Sequence, residues 1–422
     1  MMSKISIIMP VYNGAEFLEK SIKSVSNQTL KDIELICVDD GSKDNSLDVL
    51  NNLSEKYPFV KVFSQENHGS GKARNAGMKK ADGEYIAFLD ADDIFIDEDS
   101  LEKMYGLAEK HDANIVSSNL QFVEKDYSLK ENPHYNLGDY KEFKEFGQIA
   151  PEEYGIPYAF YKSIFKRDFL EKNSIDFPDL LRGQDPIFLA KVLANCGVVY
   201  VTPLNFYGYN YSIGGGVNVK INNFKKKESY FQHFKDTCDA LSEGGLYNTS
   251  DIYKVHFAKY LNWASNAQDR DLYILYDNIL GKDSDFFDKN DKYVQSFYIP
   301  YAAFQAYHSK SIEYYERIKN EFLKMDLSDN FIITNISLRI YLILINSNSY
   351  DDFKQRYYDY SIKRLEDDKR KLKNRNKDLA IKEKSLKEKS RELKKFNEDL
   401  SNSSSWRLTK PLRALMKVFR LK

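Results

Sequence analysis

The chain has 422 residues, enough for roughly two to three domains, and its 42% hydrophobic fraction with 31 Tyr and 27 Phe supplies a sizeable core. Its three cysteines, Cys37, Cys196 and Cys238, are far apart and lack metal-ligand spacing, which argues against a disulfide framework and for a reducing compartment. The net charge of −1 hides an asymmetry: 361–402 and 403–422 each carry +6, leaving −13 on the preceding 360 residues. A basic tail on an acidic body calls for an anionic partner.

The chain enters Ile5–Met9 with no basic, apolar and cleavage-site pattern, so no signal peptide is expected. Lys4 to Met9 is β-branched and apolar and predicts a strand ended by Pro10. Phe17, Leu18, Ile22 and Val25 form a helical stripe. Ile33 to Val38 predicts a second strand running into Asp39-Asp40-Gly41-Ser42, and Asp44 to Leu53 a second helix. A third strand is expected over Phe59 to Phe63, then a helix over Gly69 to Lys80 carrying Lys72, Arg74 and Asn75. The run Tyr85-Ile86-Ala87-Phe88-Leu89 suits a strand buried on both faces, and it leads into Asp90-Ala91-Asp92-Asp93. This alternation predicts a doubly wound, Rossmann-like parallel α/β sheet.

Open α/β sheets bind ligands at the carboxyl ends of their strands. Three of the predicted ends carry polar groups: Pro10-Val11-Tyr12-Asn13, Asp39-Asp40 and Asp90 to Asp93. Hard carboxylate oxygens suit Mg²⁺ or Mn²⁺, and such a cation suits a diphosphate. The alternative for Asp-x-Asp alone is an acidic turn capping the next element. A base can stack beside Tyr12, and Asp39 can accept the imide N–H of uracil. Arg74 can face a diphosphate near its helix N-terminus, and Asp92 can hold the cation. No Gly-x-Gly-x-x-Gly or Walker lysine loop follows the first strand, which disfavours dinucleotide and P-loop readings.

Four segments then bear on family: Met9-Pro-Val-Tyr-Asn-Gly14, Val38-Asp-Asp-Gly-Ser42, Glu66-Asn-His-Gly-x-Gly-x-Ala-Arg-Asn-x-Gly77 and Phe88-Leu-Asp-Ala-Asp-Asp93. In order and spacing they resemble the signature of family 2 inverting glycosyltransferases of the GT-A fold, over roughly residues 4 to 215. The resemblance implies a GT-A mixed sheet, a nucleotide-sugar donor, usually UDP-linked, and Mn²⁺ or Mg²⁺. It assigns Pro10, Val11, Tyr12, Asn13 and Asp39 to the base, and Asn67 and Arg74 to positions along the donor. It places Asp90 and Ala91 at the donor and Asp92 at the metal-diphosphate.

Inverting transfer needs a general base at the acceptor hydroxyl. In Leu181-Arg-Gly-Gln-Asp-Pro-Ile-Phe188, Asp185 precedes Pro186 and an apolar helix, so the residues alone read equally as an N-cap or a base. The resemblance matches this segment to the family's Glu-Asp motif and implies Asp185 as base, with Gln184 where Glu is usual. The missing charge lowers the expected basicity of Asp185. Tyr158 to Arg167 reads either as an amphipathic helix packing on the sheet or, by resemblance, as the aromatic-basic segment under the acceptor site. Tyr207 to Gly216 resembles a flexible loop closing over the donor diphosphate, with Tyr211 or Ser212 against phosphate and no His as a third metal ligand.

The expected layout is a catalytic domain over 1–220, a helical domain over 221–360, a coiled coil over 361–402 and a basic amphipathic tail over 403–422. Leu365, Leu372, Leu379, Leu386, Leu393 and Leu400 repeat every seven residues, and mostly polar a positions predict a weak coiled coil and a homo-oligomer, or else a single solvated helix. Leu412, Leu415, Met416 and Phe419 among basic residues favour an anionic membrane surface. Nucleic acid is not expected as a partner, because no recognised motif accompanies the charge. The combined expectation is a cytoplasmic enzyme, peripheral on the inner membrane face, glycosylating a cell-surface glycan or lipid-linked acceptor. Its rival is a catalytically inactive GT-A scaffold recruiting partners through the coiled coil.

Overall fold

The computed structural model describes residues 3–129, 141–210, 223–266, 270–281, 285–287, 292–324 and 335–364, with parts of 366–377. The chain begins β1 (Ile5–Val11), α1 (Leu18–Ser26), β2 (Ile33–Asp40), α2 (Ser46–Lys56), β3 (Val60–Gln65), α3 (Ser70–Met78) and β4 (Tyr85–Phe88). These four strands are parallel in the order β3-β2-β1-β4, as their alternation with helices requires. Ile5, Ile7, Met9 and Val11 of β1 are buried with Leu18, Ile22 and Val25 of α1. Pro10 does not end β1; the strand continues to Val11 and pairs Pro10 with Val38. Lys4 and Ile8 accept from Tyr85 and Leu89, so even-numbered β1 positions face β4, whose pairing ends at Ile8 with Phe88. The missing N–H of Pro10 therefore falls where no ladder bond is needed.

The chain continues through β5 (Ile94–Phe95), α4 (Ser100–His111), β6 (Ile115–Val123), β7 (Gly147–Ile149), β8 (Ser163–Lys166), α5 (Arg167–Lys172), α6 (Gln184–Asn195) and β9 (Val199–Asn210). β8 lies antiparallel between β4 and β6, and β9 runs parallel to β6 and antiparallel to β5 and β7. Among the described residues this makes one mixed sheet of nine strands. The amphipathic-helix reading of Tyr158 to Arg167 is corrected: Phe160–Lys162 is a single 3₁₀ turn and Ser163–Lys166 is an interior strand. Phe160 and Phe165 explain the choice. With Phe177 and Phe188 they surround Phe88 at 5.1–6.0 Å between ring centres, so the apolar groups serve the sheet core.

Helices follow: α7 (Phe224–Glu243), α8 (Tyr247–Asn266), α9 (Arg270–Ile279), α10 (Lys292–Ser309), α11 (Ile312–Leu323) and α12 (Asn335–Asn346), then a helix over 350–364. The chain divides into two compact units, Met1–Tyr301 with Asp329–Thr334, and Ala302–Ser328 with Asn335–Lys422. In the first, α7 and α8 stack Phe234 on Phe257 at 4.6 Å. In the second, Tyr315 stacks on Phe353 at 5.1 Å and is fully buried. The heptad positions 378–402 and the tail 403–422 lie outside the described residues, as do Tyr211, Ser212 and Gly214 to Gly216. No helix among the described residues is long and apolar enough to cross a membrane.

Candidate active site

The loops after β1 and β2 are stitched together. The Asn13 N–H donates to Ser42 Oγ at 3.0 Å, the Lys43 N–H to Asn13 Oδ1 at 2.7 Å and the Gly14 N–H to Ser46 Oγ at 2.9 Å. Asn13 holds φ +52°, a conformation Asn tolerates. Tyr12 is left 48% exposed beside this edge. Asp39 and Asp40, adjacent and buried, differ sharply. Asp40 accepts from Gln65 Nε2 at 2.8 Å, the His68 N–H at 2.9 Å and the Gly69 N–H at 2.8 Å, fixing the turn into α3. Asp39 takes only Ser64 Oγ at 3.3 Å, and its Oδ1 is buried without a hydrogen-bond partner among the described residues. Such an acceptor is costly unless a ligand donor meets it. Asn67 is exposed, and its N–H would lie 2.9 Å from a Cβ at Gly41.

α3 approaches β1 closely because Gly77 has no side chain: a Cβ there would fall 2.5 Å from Ile8 Cγ2. This seats Arg74 deep in the site. Its guanidinium lies 5.0 Å from the Phe160 ring and 5.3 Å from the Phe177 ring. Nη2 pairs with Asp90 Oδ1 at 2.6 Å, and Nη1 reaches Asp185 Oδ1 at 3.5 Å. Burial opposes the charge, but Asp90 and then Asp185 outweigh it and raise the Arg74 pKa. Arg74 thus joins Asp90, after β4, to Asp185 on α6.

The three aspartates after β4 have distinct surroundings. Asp90 is taken by Arg74. Asp93 is buried and accepts from Tyr207 Oη at 2.6 Å and the Asn210 N–H at 2.7 Å, while Tyr207 Oη also accepts the Asp90 N–H at 3.1 Å. Burial, then Asp92 and Asp90, holds the Asp93 carboxyl well above the ordinary range. Asp92 has no ion-pair partner among the described residues, and burial followed by repulsion from Asp90 pushes its carboxyl up to about 6.

α6 begins at Gln184 with Gly183 as its N-cap, so Asp185 lies in the first turn and is not itself the cap. Its side chain is 43% exposed, open to an incoming group. Desolvation on its covered side raises its carboxyl, Arg74 lowers it and Asp90 raises it again. Gln184 donates through Nε2 to the Leu180 carbonyl and accepts Ser70 Oγ at 3.3 Å. Gly71 makes room, since a Cβ there would lie 2.7 Å from Gln184 Cδ.

Tyr207 to Asn210 is the end of β9, not the start of a loop. Gly208 is demanded by packing: a Cβ there would meet Ile94 Cγ1 of β5 at 2.9 Å. Tyr207 and Asn210 are site residues that sequence reasoning missed. The alternation of Tyr207 and Tyr209 was the one available signal of a strand.

A parallel nucleotide-binding half, a carboxylate cluster after β4 and a partly open carboxylate across a buried arginine define the catalytic domain of a GT-A glycosyltransferase. Residues 6–172 match the family Glycosyl transferase family 2. It is 29% identical over 289 residues to a cholesterol galactosyltransferase of Borreliella burgdorferi, covering 66% of this chain and 78% of the relative. It is 32% identical over 237 residues to a poly(ribitol-phosphate) beta-glucosyltransferase of Bacillus spizizenii, covering 49% of this chain and 35% of the relative. In fold it resembles S. aureus TarS 1–349, solved in complex with UDP-GlcNAc, with TM-score 0.52 and 18% identity over 85% of this chain and 91% of that one.

Proposed function

We propose that this protein moves a sugar from a nucleotide sugar, most simply a UDP-sugar, to a hydroxyl of a cell-surface glycan or lipid-linked acceptor, inverting the anomeric centre. The observation that carries the reading is Arg74, bridging Asp90 on the donor side and Asp185 on the acceptor side. Asp39 would accept the imide N–H of the base through its unpartnered Oδ1, with Tyr12 and the Pro10 to Asn13 loop beside the ring. Asn67, Asp90 and Ala91 would line the donor, and Tyr211 and Ser212 would close on its phosphates. Asp185 takes the proton of the acceptor hydroxyl as that oxygen attacks the anomeric carbon and the nucleoside diphosphate leaves. Arg74, firmly protonated, stabilises the negative charge gathering on the leaving group.

The donor set fits a divalent cation. Asp92 carries a carboxylate without an ion-pair partner among the described residues and is crowded by Asp90, a repulsion that a cation would relieve. Asp90 and Asp93 are committed to Arg74, Tyr207 and Asn210, and the described residues contain no group of three or more ligating side chains. One carboxylate with donor oxygens and water suits Mn²⁺ or Mg²⁺. Bound there, the cation would neutralise charge on the diphosphate.

The relatives include a galactosyltransferase and a glucosyltransferase, and TarS was solved with UDP-GlcNAc, which supports a hexosyl or N-acetylhexosaminyl donor. A thermal-shift panel of UDP-, GDP-, CDP- and dTDP-sugars with and without Mn²⁺ tests the donor. Metal-dependent stabilisation by UDP-sugars is expected, and no shift with any donor contradicts the proposal. We propose further that 403–422 holds the enzyme on an anionic inner membrane face and that 361–402 pairs copies of the chain. Vesicle co-sedimentation and light scattering, with and without these segments, test both.

A further inference from the structure

We propose that Ser229 and His233, one turn apart on α7, are positioning residues for the general base, locking the Arg182–Gly183 turn from which Asp185 projects. This rests on the reading of Asp185 as the base.

The turn is joined to α7 by two reciprocal hydrogen bonds. The Arg182 N–H donates to Ser229 Oγ at 3.0 Å, and Ser229 Oγ donates back to the Arg182 carbonyl at 3.1 Å. One residue on, Gly183 has φ +77°, and a Cβ there would lie 2.2 Å from His233 Cγ. The imidazole therefore packs directly on the glycine backbone, and glycine is required both for its dihedral and for space. His233 is itself fixed: it is buried, Nδ1 meets the Tyr230 carbonyl and Nε2 lies 3.1 Å from Tyr253 Oη. Burial pushes its pKa down to about 3, so the ring is neutral and brings no charge beside Asp185.

The turn itself is only partly covered. Leu181 is 63% exposed, and Arg182 and Gly183 are only half-buried. A turn with so little apolar burial takes its position from polar contacts. On the other side, Gln184 is tied to α3 through Ser70. The base is thus gripped between α3, which carries Arg74, and α7. Helix α7, like Asp185 itself, lies beyond the family-matched residues 6–172.

The test uses the full-length chain with Mn²⁺ and UDP-Glc, UDP-Gal or UDP-GlcNAc, reading UDP release to water alongside hydrogen exchange of the peptide covering 180–188. Ser229→Ala is expected to speed exchange over 182–185 while peptides from β2 and α3 stay as in wild type. Its kcat should fall about 10- to 100-fold at unchanged donor KM, the signature of a misplaced catalytic group. Ser229→Thr keeps the hydroxyl and should move both readouts back toward wild type. Unchanged exchange over 180–188, or wild-type kcat in Ser229→Ala, overturns the proposal. Absence of UDP release from the wild type with all three donors would instead count against the glycosyltransferase reading, and the exchange measurement would still decide whether α7 holds the turn.

Discussion

In the parallel half of the sheet Asp40 is satisfied by Gln65, His68 and Gly69, at most 29 positions away; in the mixed half Asp93 is satisfied by Tyr207 and Asn210, 114 and 117 positions away. The first corner is assembled within the contiguous β2–α2–β3–α3 stretch, and one carboxylate oxygen there, on Asp39, has no hydrogen-bond partner among the described residues. The second brings Asp90 and Asp185 to one arginine with Asp92 and Asp93 beside them, and burial raises the carboxyl pKa of Asp92, Asp93 and Asp185. Recognition of the donor base can be built locally. Chemistry needs charges that no local unit would tolerate, held by residues from elsewhere in the chain.

Breaking the mixed corner at its centre should have the largest effect. Arg74 is only 5% exposed, and Arg74→Ala leaves Asp90 without its counter-charge. A loss of about 3–5 kcal/mol is expected in denaturant unfolding, with the more exposed Asp185 adding little. Tyr207→Phe removes a hydroxyl that serves both Asp93 and the Asp90 N–H, and should lower stability by about 1.5–3 kcal/mol. In the parallel corner the effect should move from folding to binding. Asp39→Asn should leave the melting temperature near wild type while weakening UDP binding about tenfold, measured by calorimetry.

The smallest expected effect concerns pH. With the Asp92 carboxyl pushed up to about 6, it is ionised at pH 7 and becomes protonated as pH falls through 6. Mn²⁺ affinity in the presence of UDP should therefore be full above that range and fall by about tenfold per pH unit below it. Asp90→Asn removes one source of the repulsion and should move this limb to lower pH.

The same contrast explains what the sequence disclosed. β1 to β4, α1 to α3 and the three polar strand ends were legible because each strand, turn and helix is contiguous and periodic. The mixed half was not. β8 interrupts the expected order as an antiparallel insertion, and its residues Ser163 to Lys166 carry too few turn signals to separate strand from helix. The end of β9, Tyr207 to Asn210, reads as part of a flexible loop in the sequence because the demand on Gly208 comes from β5, over a hundred residues earlier. The grip of Ser229 on Arg182 has no signature in either segment alone.

The most direct test of the account is the configuration and amount of sugar product formed from an α-linked UDP-sugar by wild type and Asp185→Asn, followed by NMR as product first appears. The account expects β product from wild type and a loss of about 10²- to 10⁴-fold in Asp185→Asn, with UDP-induced thermal stabilisation retained. α product from the wild type, or unchanged turnover in Asp185→Asn, would contradict it.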